Sequence, residues 1–244
     1  MNKFLLLIPL AIVSALVTFA AFSGTSISKN VELNSSNLVS LNSEINAESV
    51  VSTITSLESS TSPVTFLFID SPGGSVMDGL ALVNYLQHTK KPVHCIASYA
   101  ASMAHAILES CPVRLGTPEN ILMQHKISGG AQGTPTEIEG TLKIMKGFES
   151  VLTNLETKRI GISKEEFEKR TFYPWYTFGE ESVKENVIDA IVNVSCSSEL
   201  YSKHTDKEVQ VFIFSFKVRY SGCPLVPPVR IHDESAAMTT VHIH

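Results

Sequence analysis

Short apolar runs alternate with amphipathic segments through the middle of this sequence. Runs rich in β-branched and aromatic residues, bounded by turn residues, predict buried strands. These runs lie at 63–70, 93–97 and 121–123. Segments with helical spacing or a cap residue precede each of them, at 46–58, 76–86 and 101–110. Strands that alternate with helices indicate an α/β domain with a mostly parallel sheet.

A longer helix is predicted from Thr134 to about Arg159. Thr134 and Glu137 form a capping box, and Pro135 occupies the first helical position. A second capping box, at 163–166, predicts a shorter helix directly afterwards.

The first residues have a different character. An apolar run at 4–22 follows Lys3, and this order is typical of a secretory signal peptide. The run is also long enough for a membrane anchor. We expect residues 1–23 to be a signal peptide or an anchor, so that the protein is exported to the cell envelope as a periplasmic, secreted or membrane-anchored chain.

Composition divides the rest of the chain. Residues 24–37, rich in Ser and Asn, are expected to form a linker, and the main domain is expected to span 38–194. Residues 195–244 form a C-terminal extension of unknown role, in which alternation at 209–220 predicts a β-strand. The net charge of -5 and the lack of a long basic run argue against nucleic acid as a partner.

The sequence contains four cysteines: Cys95, Cys111, Cys196 and Cys223. An even number in an exported chain indicates disulfides, whereas in the cytosol the same residues would be buried thiols. Cys95 and Cys111 lie on a predicted strand and at the far end of the next helix. Because the chain reverses between them, we expect these two to be paired. The spacings typical of zinc ligands are missing, and we expect neither a metal nor a cofactor.

Candidate chemistry lies where the predicted strands end. Ser102 begins a helix, whose first N–H groups can stabilise an oxyanion. A serine needs a base to act as a nucleophile, and His125, after the next strand, is the candidate. His105 is a second candidate but would share the helix of Ser102. The pair Gly73–Gly74 can bring bare backbone N–H groups close to a substrate. Each residue alone has an ordinary explanation as a cap, a turn or a structural histidine.

Four segments resemble the proteolytic subunit of the Clp protease. They are Phe68–Ser75, Ala100–Met103, Met123–Gly133, and Glu180–Ser182 together with Val187–Asp189. Asn186 replaces a family glycine, and Asn also tolerates a left-handed helix end. The resemblance covers roughly residues 38–193. It implies a ClpP/crotonase-like α/β fold of stacked β-α units with a handle helix, to which the C-terminal extension adds at least one β-strand.

The resemblance also implies a function. Ser102 would be the nucleophile, His125 the general base, and the backbone N–H groups of Gly74 and Met103 the oxyanion hole. The protein would be a serine-type endopeptidase that acts on peptides or unfolded polypeptides and assembles into a homo-oligomeric ring. An ATP-driven unfoldase, the usual partner of the family, is expected only if the chain is not exported.

The third member of the catalytic triad is missing from its expected place. Pro174 stands where the family has an aspartate, and a proline cannot orient an imidazole. Thr171, Tyr173 and Glu180 are the nearest candidates in the sequence, and none is compelling. The alternative is therefore a non-catalytic or weakly active structural subunit of the same fold.

Two further alternatives are weaker. An acyl-CoA enzyme of the crotonase fold would leave the pair of Ser102 and His125 unexplained. A serine–lysine peptidase would use Lys126, which is expected to point away from the neighbouring His125 along a strand.

Overall fold

The computed structural model of the chain describes residues 30–211 and 214–231. The predicted signal peptide or anchor, residues 1–23, lies outside these residues. Within them, none of the helices is long and apolar enough to cross a membrane.

The elements confirm the predicted α/β fold. The strands are β1 (Asn30–Leu33), β2 (Leu38–Leu41), β3 (Thr65–Ser71), β4 (Val93–Ala101), β5 (Val113–Gln124), β6 (Trp175–Phe178), β7 (Ala190–Ile191), β8 (Asn193–Cys196), β9 (His204–Val211), β10 (Phe214–Ser221) and β11 (Val229–Ile231). The helices are α1 (Ala47–Ser59), α2 (Val76–His88), α3 (Met103–Glu109), α4 (Pro135–Ile160), α5 (Lys164–Arg170), α6 (Glu180–Lys184) and α7 (Ser198–Ser202).

The main sheet has the strand order β2-β3-β4-β5-β6. Strands β2 to β5 are parallel, β6 runs antiparallel to β5, and the short β7 pairs with β5 in parallel. The carboxyl ends of β3, β4 and β5 therefore meet at one edge, where Gly73, Ser102 and His125 follow them.

The helix boundaries agree with the capping signals in the sequence. Asn46 caps α1 and accepts a hydrogen bond from the Ser49 backbone N–H. Thr134 and Glu137 form the predicted capping box of α4. These side chains satisfy N–H groups that the first turn of a helix leaves unpaired.

Strands β4 and β5 are longer than predicted. β5 begins at Val113, whereas the predicted strand began at Ile121. The prediction was too short because polar residues interrupt the apolar pattern of the strand. Arg114, Thr117 and Asn120 are buried. Asn120 donates to the Thr117 carbonyl (2.8 Å) and accepts from the Ser182 hydroxyl (2.7 Å). A buried polar side chain with partners on neighbouring segments can belong to a core strand, but the pattern of apolar residues cannot reveal those partners.

Apolar side chains are buried on both faces of the main sheet. One cluster packs the sheet against α1, α2, α3 and part of α4. The other joins Phe68, Ile96 and Leu115 of the sheet to Leu200 and Cys223 of the C-terminal extension. The extension is therefore packed onto the domain as part of its core.

The segment expected to be a linker, residues 24–37, contains β1. This strand pairs in parallel with β8, and Val31 and Leu33 are buried. Four residues are too few for an alternating pattern to be recognised in the sequence. The strand is defined by its pairing with a partner about 160 residues away. The expected boundary at residue 194 also falls inside β8.

The single strand expected over 209–220 is two strands. β9 ends at Val211, β10 begins at Phe214, and the two pair antiparallel, with β11 on the other side of β10. Alternation has the same period in one long strand and in two short ones, so the pattern could not distinguish them. Phe212, included in that prediction, lies outside the described residues.

The four cysteines form two disulfides. Cys95 of β4 is bonded to Cys111, just after α3, with their Cα atoms 6.1 Å apart. Cys196 of β8 is bonded to Cys223 in the extension, with their Cα atoms 5.8 Å apart. The first bond ties together the two ends of the segment that carries Ser102. The second ties the extension to the domain.

Candidate active site

Ser102 occupies a strained turn between β4 and α3. Its φ of 55° and ψ of -121° lie in a region that costs an L residue about 1–3 kcal/mol. Within the described residues, its hydroxyl makes no capping bond to α3, although the residue is at the cap position. Its backbone N–H donates to the carbonyl of Met123 on β5 (2.8 Å). The turn is thus fixed by its backbone, and the hydroxyl is left available.

A glycine turn after β3 lies against this serine turn. A Cβ on Gly73, whose φ is 92°, would lie 2.5 Å from the Ala101 carbonyl oxygen and 2.8 Å from the Cβ of Ser102. A side chain at this position would therefore push the two turns apart. Within residues 30–211 and 214–231, neither the Gly74 N–H nor the Met103 N–H donates a hydrogen bond. Both groups are available to an oxyanion.

His125 is brought to Ser102 by strand pairing. Ala101 of β4 is paired with Met123 of β5, so the residues that follow both strands lie at the same edge. Ser102, His125, Gly74 and Met103 line one cavity of about 230 Å³. The four residues predicted for catalysis and for the oxyanion hole therefore share one site.

The pairing of β5 with β6 explains the position of Pro174. Gln124, the last residue of β5, is paired with Trp175, the first residue of β6, and the same register continued by one residue would set Pro174 opposite His125. Pro174 is exposed, and its ring offers no acceptor for an imidazole N–H. The resemblance to the family implies a triad aspartate at the same residue.

The other candidates for the third position lie in different places. Glu180 begins α6, at the far end of β6 from His125, and the four residues of β6 alone extend about 10 Å. Tyr173 is 75% exposed, and its ring packs on Phe172. Thr171 lines the cavity, but its hydroxyl donates to the Phe167 carbonyl (2.9 Å). A rearrangement that brings Glu180 to His125 is inconsistent with this topology.

The two alternative bases differ in whether a substrate in the cavity could reach them. His105 is 2% exposed, and its Nδ1 is bonded to Glu156 (2.8 Å), so it is not accessible to a substrate. Lys126 is exposed and lines the same cavity as His125. The expectation that Lys126 points away assumed strand alternation, which does not extend to Lys126 because β5 ends at Gln124.

A buried polar network behind the cavity was missed by the sequence analysis. Glu156 of α4, 1% exposed, accepts hydrogen bonds from His105 (2.8 Å) and from the side-chain amide of Gln124 (2.5 Å). The signal in the sequence is that Glu156 follows Leu152 by four residues. A charged residue thus occupies the apolar stripe of α4, and it needs buried partners there.

The charges around α3 stabilise this network. Burial lowers the pKa of His105, but the hydrogen bond and charge of Glu156, together with the charge of Glu109, outweigh burial and raise it. Burial raises the pKa of Glu109 to about 7, against the opposing effects of His105 and Arg114. Arg114 of β5 donates to Glu109 (2.6 Å) at the end of α3 and to Asp189 (2.7 Å) in the segment after α6, so it joins the three segments.

The fold and the site together define a class of protein. The site of this α/β protein combines a serine turn between strand and helix, a glycine turn against it and a histidine on the same cavity. Nucleophilic serine enzymes use an arrangement of this kind. The family model described as Clp protease matches residues 25–195. The chain belongs to the Clp protease family.

Proposed function

We propose that this protein is a serine-type endopeptidase that cleaves peptides or unfolded polypeptides through an acyl-enzyme. The observation that carries the proposal is the state of Ser102. Its hydroxyl is not used as a cap, its backbone is held in a strained turn, and it shares a cavity with His125 and two unpaired N–H groups. Strain of this kind is characteristic of functional sites.

The proposed reaction uses this chain's own groups. The Ser102 oxygen attacks the scissile carbonyl carbon while His125 accepts the hydroxyl proton. The N–H groups of Gly74 and Met103 stabilise the negative charge that develops on the carbonyl oxygen. His125 then gives the proton to the leaving amine, and the peptide C–N bond breaks. Water, activated by the same histidine, hydrolyses the acyl-enzyme and restores Ser102.

Pro174 sets an upper limit on the expected rate. A triad carboxylate holds the histidine in its working tautomer and stabilises the imidazolium, and loss of that role costs about 10⁴ in turnover. The oxyanion hole and the remaining pair still accelerate the reaction over water. We expect slow hydrolysis of peptides.

Labelling with a fluorophosphonate tests the proposal. In this reaction the serine oxygen bonds to phosphorus, fluoride leaves, and the hydroxyl proton passes to the base. We expect labelling of the native chain, none of Ser102→Ala, and strongly reduced labelling of His125→Ala. Labelling that survives in Ser102→Ala contradicts the assignment of the nucleophile.

Lys126→Met decides which residue is the base. A serine–lysine mechanism predicts that Lys126→Met strongly reduces labelling, whereas a serine–histidine mechanism predicts that His125→Ala does. Circular dichroism of each variant provides the control for folding.

A non-catalytic subunit is the second candidate function. Pro174 favours it, because it stands where the resemblance to the family implies the triad aspartate. Native protein that neither hydrolyses peptides nor reacts with the fluorophosphonate, in every assembly state, would support this alternative.

We also propose that the chain forms a homo-oligomeric ring in the cell envelope, with polypeptides as substrates. Family membership supports the ring, and the two disulfides support an oxidising compartment. An ATP-driven unfoldase is a partner only if the chain remains in the cytosol. Sedimentation velocity tests assembly, and cell fractionation with thiol mapping tests export.

A further inference from the structure

We propose that Glu156 and Gln124 are positioning residues that hold Ser102 and His125 in register, in place of the missing triad carboxylate. The inference rests on the proposed function, since it assigns these two residues a role in the same reaction. Neither is proposed to contact the reacting atoms.

The side chain of Gln124 connects the nucleophile to the base. Its Oε1 accepts the backbone N–H of His125 (2.8 Å), while its Nε2 faces the carbonyl oxygen of Ser102 (3.4 Å). The same Nε2 donates to Oε1 of Glu156 (2.5 Å). Only one orientation of the amide satisfies these three contacts, because the oxygen must face the N–H and the nitrogen must face the two oxygens.

Glu156 fixes Gln124 from a third element. It is a 1%-exposed residue on α4, whereas Gln124 ends β5 and Ser102 precedes α3. A hydrogen bond to a carboxylate is stronger than one between neutral groups. The bond from His105 to Glu156 (2.8 Å) holds the carboxylate itself and links it to α3. The network therefore joins the three elements that meet at the cavity.

This arrangement supplies part of what the triad carboxylate would supply. A carboxylate on the imidazole would orient the ring directly, but Pro174 stands at that position. The network instead fixes the backbone of His125 against the backbone of Ser102. Displacements of about 1 Å at such a site can cost a factor of 10² in rate, so the backbone contact is relevant to catalysis.

Exchanging donor and acceptor distinguishes positioning from mere stability. Gln124→Glu sets a second carboxylate against Glu156 and removes the donor to Ser102. We expect the rate of fluorophosphonate labelling and kcat for a peptide to fall by roughly 10²-fold, with little change in KM. The double variant Gln124→Glu/Glu156→Gln restores a donor facing an acceptor between residues 124 and 156 but not the donor to Ser102, so part of the loss should be recovered.

The controls separate the alternatives. Glu139→Gln makes the same change on an exposed part of α4 and should label at the native rate. Thermal unfolding of every variant reports folding independently of activity. If Gln124→Glu does not fold, Gln124→Met, which keeps the volume without the hydrogen bonds, replaces it with the same expected loss.

Each outcome has one meaning. Loss in the folded single variant and recovery in the exchange variant supports the positioning role. A native rate in the folded single variant overturns it while leaving the peptidase proposal intact. A native chain that is never labelled at Ser102 overturns the proposed function, and the positioning role with it.

Discussion

Gly73 shows at the scale of a single residue how closely the candidate site is packed. The backbone at this position has a φ of 92° and touches the turn that carries Ser102. Its hydrogen atom occupies space in which any side chain would collide with backbone. Gly73 therefore contributes to the site because it has no side chain.

We predict that Gly73→Ala lowers the labelling rate of Ser102 by about 10²-fold. The added Cβ must move the serine turn, and with it the Met103 N–H, away from the substrate carbonyl. Gly147→Ala on α4 is the matched control, because a Cβ there meets nothing within 4 Å. Equal labelling of both variants would contradict the close packing of the two turns.

At the scale of elements, the pairing of β6 with β5 determines which residues lie near His125. Its antiparallel pairing with β5 extends naturally to Pro174, which precedes its first residue. Proline is tolerated at the beginning of an edge strand because no ladder hydrogen bond is lost there. The fold thus accommodates a proline where the resemblance to the family implies an aspartate.

We predict that Pro174→Asp raises peptide hydrolysis by about tenfold or more, within the ~10⁴ that a triad carboxylate can contribute. Replacing an exposed proline is expected to cost at most about 1 kcal/mol of stability. Tyr173→Asp adds the same charge one residue earlier and should not raise the rate. If both variants or neither increase hydrolysis, the register between β5 and β6 does not extend to residue 174.

The C-terminal extension matters at the scale of the whole molecule. It covers the face of the sheet that carries Phe68, Ile96 and Leu115, and the bond between Cys196 and Cys223 holds it there. The other disulfide lies beside the segment that carries Ser102. The two bonds therefore stabilise different parts of the molecule.

We predict that Cys196→Ala/Cys223→Ala lowers stability by about 3 kcal/mol, or roughly 6–12 °C in Tm, with an unchanged labelling rate. Cys95→Ala/Cys111→Ala should lower both stability and labelling, because β4 and the end of α3 are no longer tied together. Differential scanning calorimetry and labelling kinetics check the two variants. Equal loss of labelling in both pairs would contradict this division.

Several features could be read from local sequence alone. The capping residues Asn46 and Thr134 set the beginnings of α1 and α4, because a cap satisfies N–H groups within one helical turn. The order of strand, glycine turn and serine turn likewise depends on neighbouring residues. Asn186, expected to tolerate a left-handed conformation, has a φ of 56°.

Other features needed partners far along the chain. β1 pairs with a strand about 160 residues away, and β9 and β10 differ from one strand only through their mutual pairing. Lys126 lines the cavity, and the strand pattern could not predict this because β5 ends one residue before His125. None of these facts leaves a periodic signal in the residues concerned.

The sequence by itself determined the α/β alternation, the family and the identity of Ser102, His125, Gly74 and Met103 as candidates, because short motifs and local periodicity carry that information. Only the tertiary structure decided that β1 pairs with β8 and that Glu156 reaches Gln124. Both depend on the pairing and packing of elements that are distant in sequence. Contacts of this kind are fixed by which strands and helices become neighbours.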